Sequence, residues 1–223
     1  MSIKENIMNV RQHIPKQVCL IAVSKYKPVK DLEEAYAASQ RVFGESKVQE
    51  VVEKYEWLPK DIEWHFIGHL QTNKVKYIAP FIQLIHGVDS WKLLLQINKE
   101  AKKNNRVIDC LVQFHIAQEE TKFGLDLTEI RAILDSEVFR ELQNVRICGV
   151  MGMASYTEDE QQVRNEFANL KEIFISLRKD YFCNEESFKE ISMGMSGDYE
   201  LAIAEGSTMV RVGSAIFGTR NYN

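Results

Sequence analysis

Proline is sparse in this chain. Four residues in 223, Pro15, Pro28, Pro59 and Pro80, lie too far apart to mark a linker, and no low-complexity stretch divides the sequence. A single domain over residues 1–223 is therefore expected. Cysteine is scarce too: Cys19, Cys110, Cys148 and Cys183 form no CxxC pair, and three of them sit inside apolar runs. Free thiols in a reducing compartment fit this better than a disulfide framework or a metal cluster. Long hydrophobic runs are missing. The longest, from Val18 to Val23, spans six residues, against the roughly 20 that a membrane helix needs. The N-terminus lacks the apolar core of a signal peptide. Charge of one sign is also absent: 28 Lys and Arg balance 32 Asp and Glu for a net −4, without a basic stripe or a long block of like charge. Neither nucleic acid nor a membrane is expected as a partner. A cytoplasmic location follows, and with no oligomerisation element visible, a monomer.

What the chain does have is alternation. Eight apolar runs of strand length recur: QVCLIAVSK, RVFGE, EWHFIG, FIQLIHGV, VIDCLVQFHI, VRICGVMGM, FKEISMGMS and TMVRVGSA. Amphipathic stretches separate them, the last being the short SAIFGTRN. Val163, Phe167, Leu170, Phe174 and Leu177 fall at steps of three and four, on one helical face. Capping boxes are expected at Ser46 with Gln49, Asp126 with Glu129, and Thr157 with Glu160. An extra amphipathic segment, Ile3 to Ile14, precedes the first strand. Strands joined by helices mean parallel βαβ units, and eight units favour a closed (β/α)8 TIM-type barrel, fold class α/β. No GxGxxG follows the first strand, so an open dinucleotide-binding sheet lacks its phosphate loop.

A barrel of this type places its chemistry at the C-terminal ends of the strands. Lys25 closes the first run. Ile21, Val23 and Lys25 share parity, so if the first two fill the barrel, Lys25 points into its mouth. A partly desolvated amine there is a nucleophile for Schiff-base formation with an aldehyde or ketone; a snorkelling surface lysine is the plainer alternative. The loops after strands seven and eight, SMGMSGD and RVGSAIFG, sit where barrels frequently bind phosphate. Gly194, Gly197 and Gly213 would let backbone N–H groups approach an anion, and Ser196 and Ser214 would add hydroxyls. Two ordinary turns, with Asp198 as an N-cap, are the alternative. Arg211 shares parity with Gly213 and should face the mouth, where it needs an anion or an acceptor; an ion pair with Glu63 or Asp109 is the structural alternative.

Other residues carry weaker signals. His65 and His69 are four apart, but a glycine intervenes and they straddle a strand end, so no metal site is expected. No GxSxG elbow is present. Ser46 reads first as an N-cap. Met151, Met153, Met193 and Met195 read first as packing, though Met193, inside SMGMSGD, is kept among the candidate cofactor contacts. Lys122 in EETKFG reads as a solvated loop charge, with a transient hold on the aldehyde during release as the sharper alternative. Together, an amine on strand one and a phosphate cradle on strands seven and eight define a ligand with a carbonyl and a phosphate. Pyridoxal 5′-phosphate fits these and the arginine; a phosphosugar aldehyde fits the first two.

The motifs AVSKYKP, FGESKVQE, WHFIGHLQTNK, KFGL and SMGMSGDYELAIAEGSTMVRVGSAIFG resemble the YggS/PROSC family of pyridoxal-phosphate homeostasis proteins, over Leu20 to Gly218. The resemblance implies a barrel like the alanine racemase N-terminal domain. It implies pyridoxal 5′-phosphate held as an aldimine on Lys25, with its phosphate at Ser196, Gly213 and Ser214 and its ring nitrogen opposite Arg211. FGES replaces the family's usual FGEN, so Ser46 reaches less far toward a cofactor than asparagine. The family's role is cofactor homeostasis without established turnover. That implies a carrier or buffer serving apo-enzymes, with cofactor-binding rather than catalytic residues. An arginine at the ring nitrogen weakens the electron sink, and the second domain that helps supply a racemase's opposing base is not expected here. The alternatives are a racemase-like enzyme using Lys25 as base, and a Schiff-base aldolase acting on a phosphosugar.

Overall fold

A computed structural model describes residues 2–118 and 123–219. Lys122 lies outside the described residues. Eight parallel strands close into a barrel: β1 (Cys19–Val23), β2 (Val42–Glu45), β3 (Glu63–Phe66), β4 (Leu84–Val88), β5 (Ile108–Gln113), β6 (Val145–Met151), β7 (Glu190–Met195) and β8 (Met209–Val212). Each expected run supplies one of them. Parallel strands covered on both faces read as continuous apolar runs, which is why the sequence announces them so clearly.

The helices are α1 (Ile3–Gln12), α2 (Val29–Ala37), α3 (Val48–Trp57), α4 (Val75–Ile78), α5 (Trp91–Lys103), α6 (Leu127–Asp135), α7 (Glu137–Arg140), α8 (Glu160–Asp180), α9 (Tyr199–Ala204) and α10 (Ser214–Phe217). The Asp126–Glu129 capping box forms at α6. The other two do not. Helix α3 starts after Lys47, with no side-chain cap from Ser46. At α8 the N-cap is Asp159, whose carboxylate accepts from Gln161 and Gln162, while Thr157 Oγ1 accepts from Asp159 N. The helix-facing stripe of α8 is buried as expected.

Closure creates two cores. The larger lies between sheet and helices and holds Phe43, Trp64, Phe66 and Phe167. The smaller lies inside the barrel and holds Ile21, Leu84, Leu111, Cys148, Met151 and Met209. Pairing of β1 with β8 sets Ile21 directly beside Arg211. Both therefore point inward, and Arg211 occupies the interior just above an apolar layer. Helix α1 packs on α2 and α10, and Asn6 Nδ2 donates to Ile216 O at 2.8 Å. No helix is long and apolar enough to cross a membrane among the described residues.

Candidate functional site

The turn after β1 is held from below. Ser24 Oγ donates to Glu45 Oε1 at 2.6 Å, and Lys54 Nζ donates to the same oxygen at 2.7 Å and to Ser24 O at 2.9 Å. Glu50 Oε2 accepts from Tyr26 N at 2.8 Å. Tyr26 adopts φ +63°, left-handed for a non-glycine residue. The strand therefore ends in a fixed turn, and Lys25, half-buried, is delivered to the barrel mouth.

A cavity of about 360 Å³ opens at that mouth, within the size range of small-molecule sites. Lys25, Ser196, Arg211, Gly213 and Ser214 all line it. The topology thus brings together five of the seven candidate cofactor contacts from opposite ends of the chain. Ser46 and Met193 are not on this lining. Strand alternation turns Ser192 inward and Met193 outward, so Met193 is fully buried in the strand–helix layer.

Charge in the cavity is one-sided. Lys25, Lys27 and Arg211 line it, and among the described residues no carboxylate does. Lys27 shares parity with Lys25 in SKYKP but carries no motif of its own in the sequence. Its Nζ donates to Phe217 O at 2.7 Å and Thr219 O at 3.1 Å, tying the end of α10 to the turn after β1. Arg211 is buried; Nη1 donates to Ser192 Oγ at 2.5 Å and Nη2 to Gly152 O at 3.0 Å. The ion pair with Glu63 or Asp109 does not form: Asp109 is bridged by Arg146 at 2.7 Å instead. Burial pulls the Arg211 pKa down to about 10, partly offset by Asp198, so it stays charged at neutral pH.

The two phosphate-like loops meet at one hydrogen bond, Gly213 N donating to Ser196 Oγ at 3.0 Å. Gly213 runs close to Val23, with space for a Cβ only 3.3 Å from it. Gly194 is needed for packing instead, with φ +93° and a Cβ position 2.6 Å from that of Ala202. Gly197 is open. Asp198 precedes α9 without capping it; its carboxylate accepts from Met195 N. His69 sits outside the cavity lining, 2.7 Å from Asp89 and stacked on Phe123. No cluster of three or more metal-ligating side chains occurs among the described residues. The cysteines are free, and burial raises the Cys19 thiol to about 12 and Cys148 to about 11.

An amine, a buried guanidinium and a pair of serine loops around a cavity with no carboxylate among its described lining residues suit a small anion that carries a carbonyl. Comparisons with known proteins agree on a family. The alanine racemase N-terminal domain model matches residues 1–221. A pyridoxal phosphate homeostasis protein from Aquifex aeolicus is 41% identical over 91% of this chain and 87% of its own length. The Escherichia coli protein of that name is 36% identical over 94% and 88%. The chain belongs to the pyridoxal phosphate homeostasis protein family. Within the family, the solved PipY of Synechococcus elongatus is 36% identical and covers 97% of this chain and 100% of its own, with a TM-score of 0.91 without pyridoxal phosphate and 0.88 with it bound. Alanine racemase from Bartonella henselae, at 19% identity and a TM-score of 0.74, shares the barrel over 97% of this chain and 58% of its own.

Proposed function

We propose that this protein binds pyridoxal 5′-phosphate reversibly at the barrel mouth and serves intracellular homeostasis of that cofactor, as a carrier or buffer supplying apo-enzymes. The observation that carries the reading is the barrel mouth, where Lys25, Lys27 and Arg211 stand around one cavity beside Ser196, Gly213 and Ser214. The cofactor supplies an aldehyde, which condenses with the Lys25 amine, forming a C=N bond and releasing the carbonyl oxygen as water. Ser196 and Ser214 offer hydroxyls, and the backbone at Ser214 offers its N–H, to the phosphate, while the Gly213 N–H holds Ser196 Oγ in place. Three cations, with no acid among the described lining residues, favour a doubly charged anion over a neutral aldehyde. Arg211, charged and acting only as a donor, suits an unprotonated ring nitrogen. The membership of the family and the cofactor bound in PipY support the same ligand.

The test uses purified protein mixed with pyridoxal 5′-phosphate. A yellow absorbance band should appear, borohydride should bleach it, and peptide mass should place the reduced cofactor on Lys25. Turnover of amino acids at ordinary enzymatic rates would overturn the carrier role, and a label on another lysine would overturn the anchor.

A further inference from the structure

Four polar side chains run along the barrel axis, and the ligand contacts above explain only Arg211. Ser192 on β7, His86 on β4 and His65 on β3 are all buried. Arg211 Nη1 donates to Ser192 Oγ at 2.5 Å. That oxygen lies 2.9 Å from His86 Nδ1. His86 Nε2 lies 3.1 Å from His65 Nδ1. Polar groups placed in an interior otherwise filled by Leu84 and Leu111 are tolerated only when every donor and acceptor is matched.

Counting protons gives the chain a direction. A guanidinium only donates, so it occupies a lone pair of Ser192. Serine has one proton. If His86 carried its proton on Nδ1, Ser192 Oγ would accept twice, and its own proton would have no acceptor in a fully buried place. With Nδ1 bare, Ser192 donates to His86, and His86 Nε2–H donates to His65 Nδ1. The His65 proton is then on Nε2. Each bond thus runs from Arg211 toward His65, which also lines a second cavity, beside Cys19, Glu63 and Glu190 at the opposite end of the barrel. Both imidazoles are held neutral, since burial lowers His65 to about 3 and His86 well below its ordinary value.

We propose that Ser192, His86 and His65 are positioning residues for Arg211. His86 Nδ1 accepts the hydrogen bond that Ser192 Oγ donates, which leaves the Ser192 lone pairs for Nη1, while Gly152 O holds Nη2. With two corners fixed, the remaining N–H groups of the guanidinium are held for an acceptor in the mouth. The chain thereby selects a heteroaromatic ligand whose ring nitrogen bears no proton. This rests on the reading that the mouth takes pyridoxal 5′-phosphate.

The experiment compares equilibrium binding of pyridoxal 5′-phosphate with that of its deaza analogue, in which CH replaces the ring nitrogen. A charge-assisted hydrogen bond predicts that the unmodified protein prefers the natural ring by about 10- to 100-fold. Ser192→Ala, a small change in a buried site, should cut that preference to within roughly threefold while both ligands still bind. Full preference retained in Ser192→Ala overturns the positioning role alone; failure of the unmodified protein to bind pyridoxal 5′-phosphate overturns the cofactor reading and the proposal with it. A second measurement needs no ligand or variant. Long-range 1H–15N spectra of the histidine-labelled protein should show His65 and His86 neutral, each with its proton on Nε2. A proton on His86 Nδ1 would refute the direction of the chain.

Discussion

Lys54 Nζ sits 2.7 Å from Glu45 Oε1, with both side chains buried beneath the turn that presents Lys25. Burial raises the Glu45 pKa, and Lys54 opposes that rise. The second carboxylate oxygen, Oε2, is buried with no hydrogen-bond partner. The pair is therefore costly, and its return is geometric: Glu45 Oε1 holds Ser24 Oγ, and Lys54 holds Ser24 O. A residue next to Lys25 is gripped at both side chain and backbone.

Removing one partner leaves the other charge stranded. Lys54→Met should destabilise the fold by about 3–5 kcal/mol, read as a lower urea midpoint. Replacing both, as Glu45→Leu with Lys54→Met, should recover most of that stability. It should also free Ser24 and loosen the Lys25 turn, so cofactor binding should not recover with it. A single variant within about 0.5 kcal/mol of the parent, the range of an ordinary surface substitution, would show that the pair does not support the turn.

The sequence makes the barrel and half of its mouth legible, for reasons that differ from residue to residue. Strands buried on both faces announce themselves as unbroken apolar runs, and alternation from Ile21 to Lys25 and from Arg211 to Gly213 is enough to aim both cations. Helix starts are harder. Ser46 stands two residues before the first helical residue and Thr157 three, and Lys47 and Asp159 take the cap positions. The axial chain is invisible along the sequence. His86 and Ser192 are separated by 106 positions, and only closure of the barrel brings them together. Lys27 hid in plain view, because its partners are backbone carbonyls, and no side-chain type marks those.

The two axial histidines make stability depend on pH with a definite sign. Unfolded, each imidazole titrates near 6.5; folded, His65 titrates near 3 and His86 well below its ordinary value. The unfolded chain therefore binds more protons below pH 6.5, and folding free energy is lost as pH falls from there. Each histidine contributes up to about 1.4 kcal/mol per pH unit. Glu45 acts in the opposite sense, because its raised folded pKa makes the native state take up a proton first as pH drops toward 4.5. Urea unfolding at pH 7.5, 6 and 5 should show a steep decline below 6.5. His65→Leu should flatten that slope whatever its effect on absolute stability, and an unchanged slope would contradict the buried neutral state.

Gly194 in β7 and Gly197 in the turn after it should respond differently. Gly194 has φ +93°, and a Cβ there would lie 2.6 Å from Ala202 Cβ. Gly194→Ala combines backbone strain with overpacking against α9 and should cost about 2–5 kcal/mol. Gly197 has nothing within 4 Å of its Cβ position. Gly197→Ala should leave the thermal midpoint nearly unchanged, within about 0.5 kcal/mol. Equal responses from the two would mean that Gly194 does not seat α9.

Lys27 separates charge from covalent chemistry at the mouth. Its Nζ is spent on Phe217 O and Thr219 O, so it anchors α10 while adding a positive charge to the cavity lining. Lys27→Met keeps the stem and removes both the donors and the charge. Affinity for pyridoxal 5′-phosphate should fall by about tenfold, which corresponds to roughly 1.4 kcal/mol. The salt dependence of binding should weaken as well, since one of the cations that attract the anion is gone. The borohydride-fixed label should stay on Lys25, because the amine that condenses is untouched. Lys25→Ala should instead abolish the absorbance band and the label while weaker phosphate-dependent binding persists. A label found on Lys27 in the unmodified protein would exchange the two roles, making Lys27 the anchor and Lys25 the charge that steers.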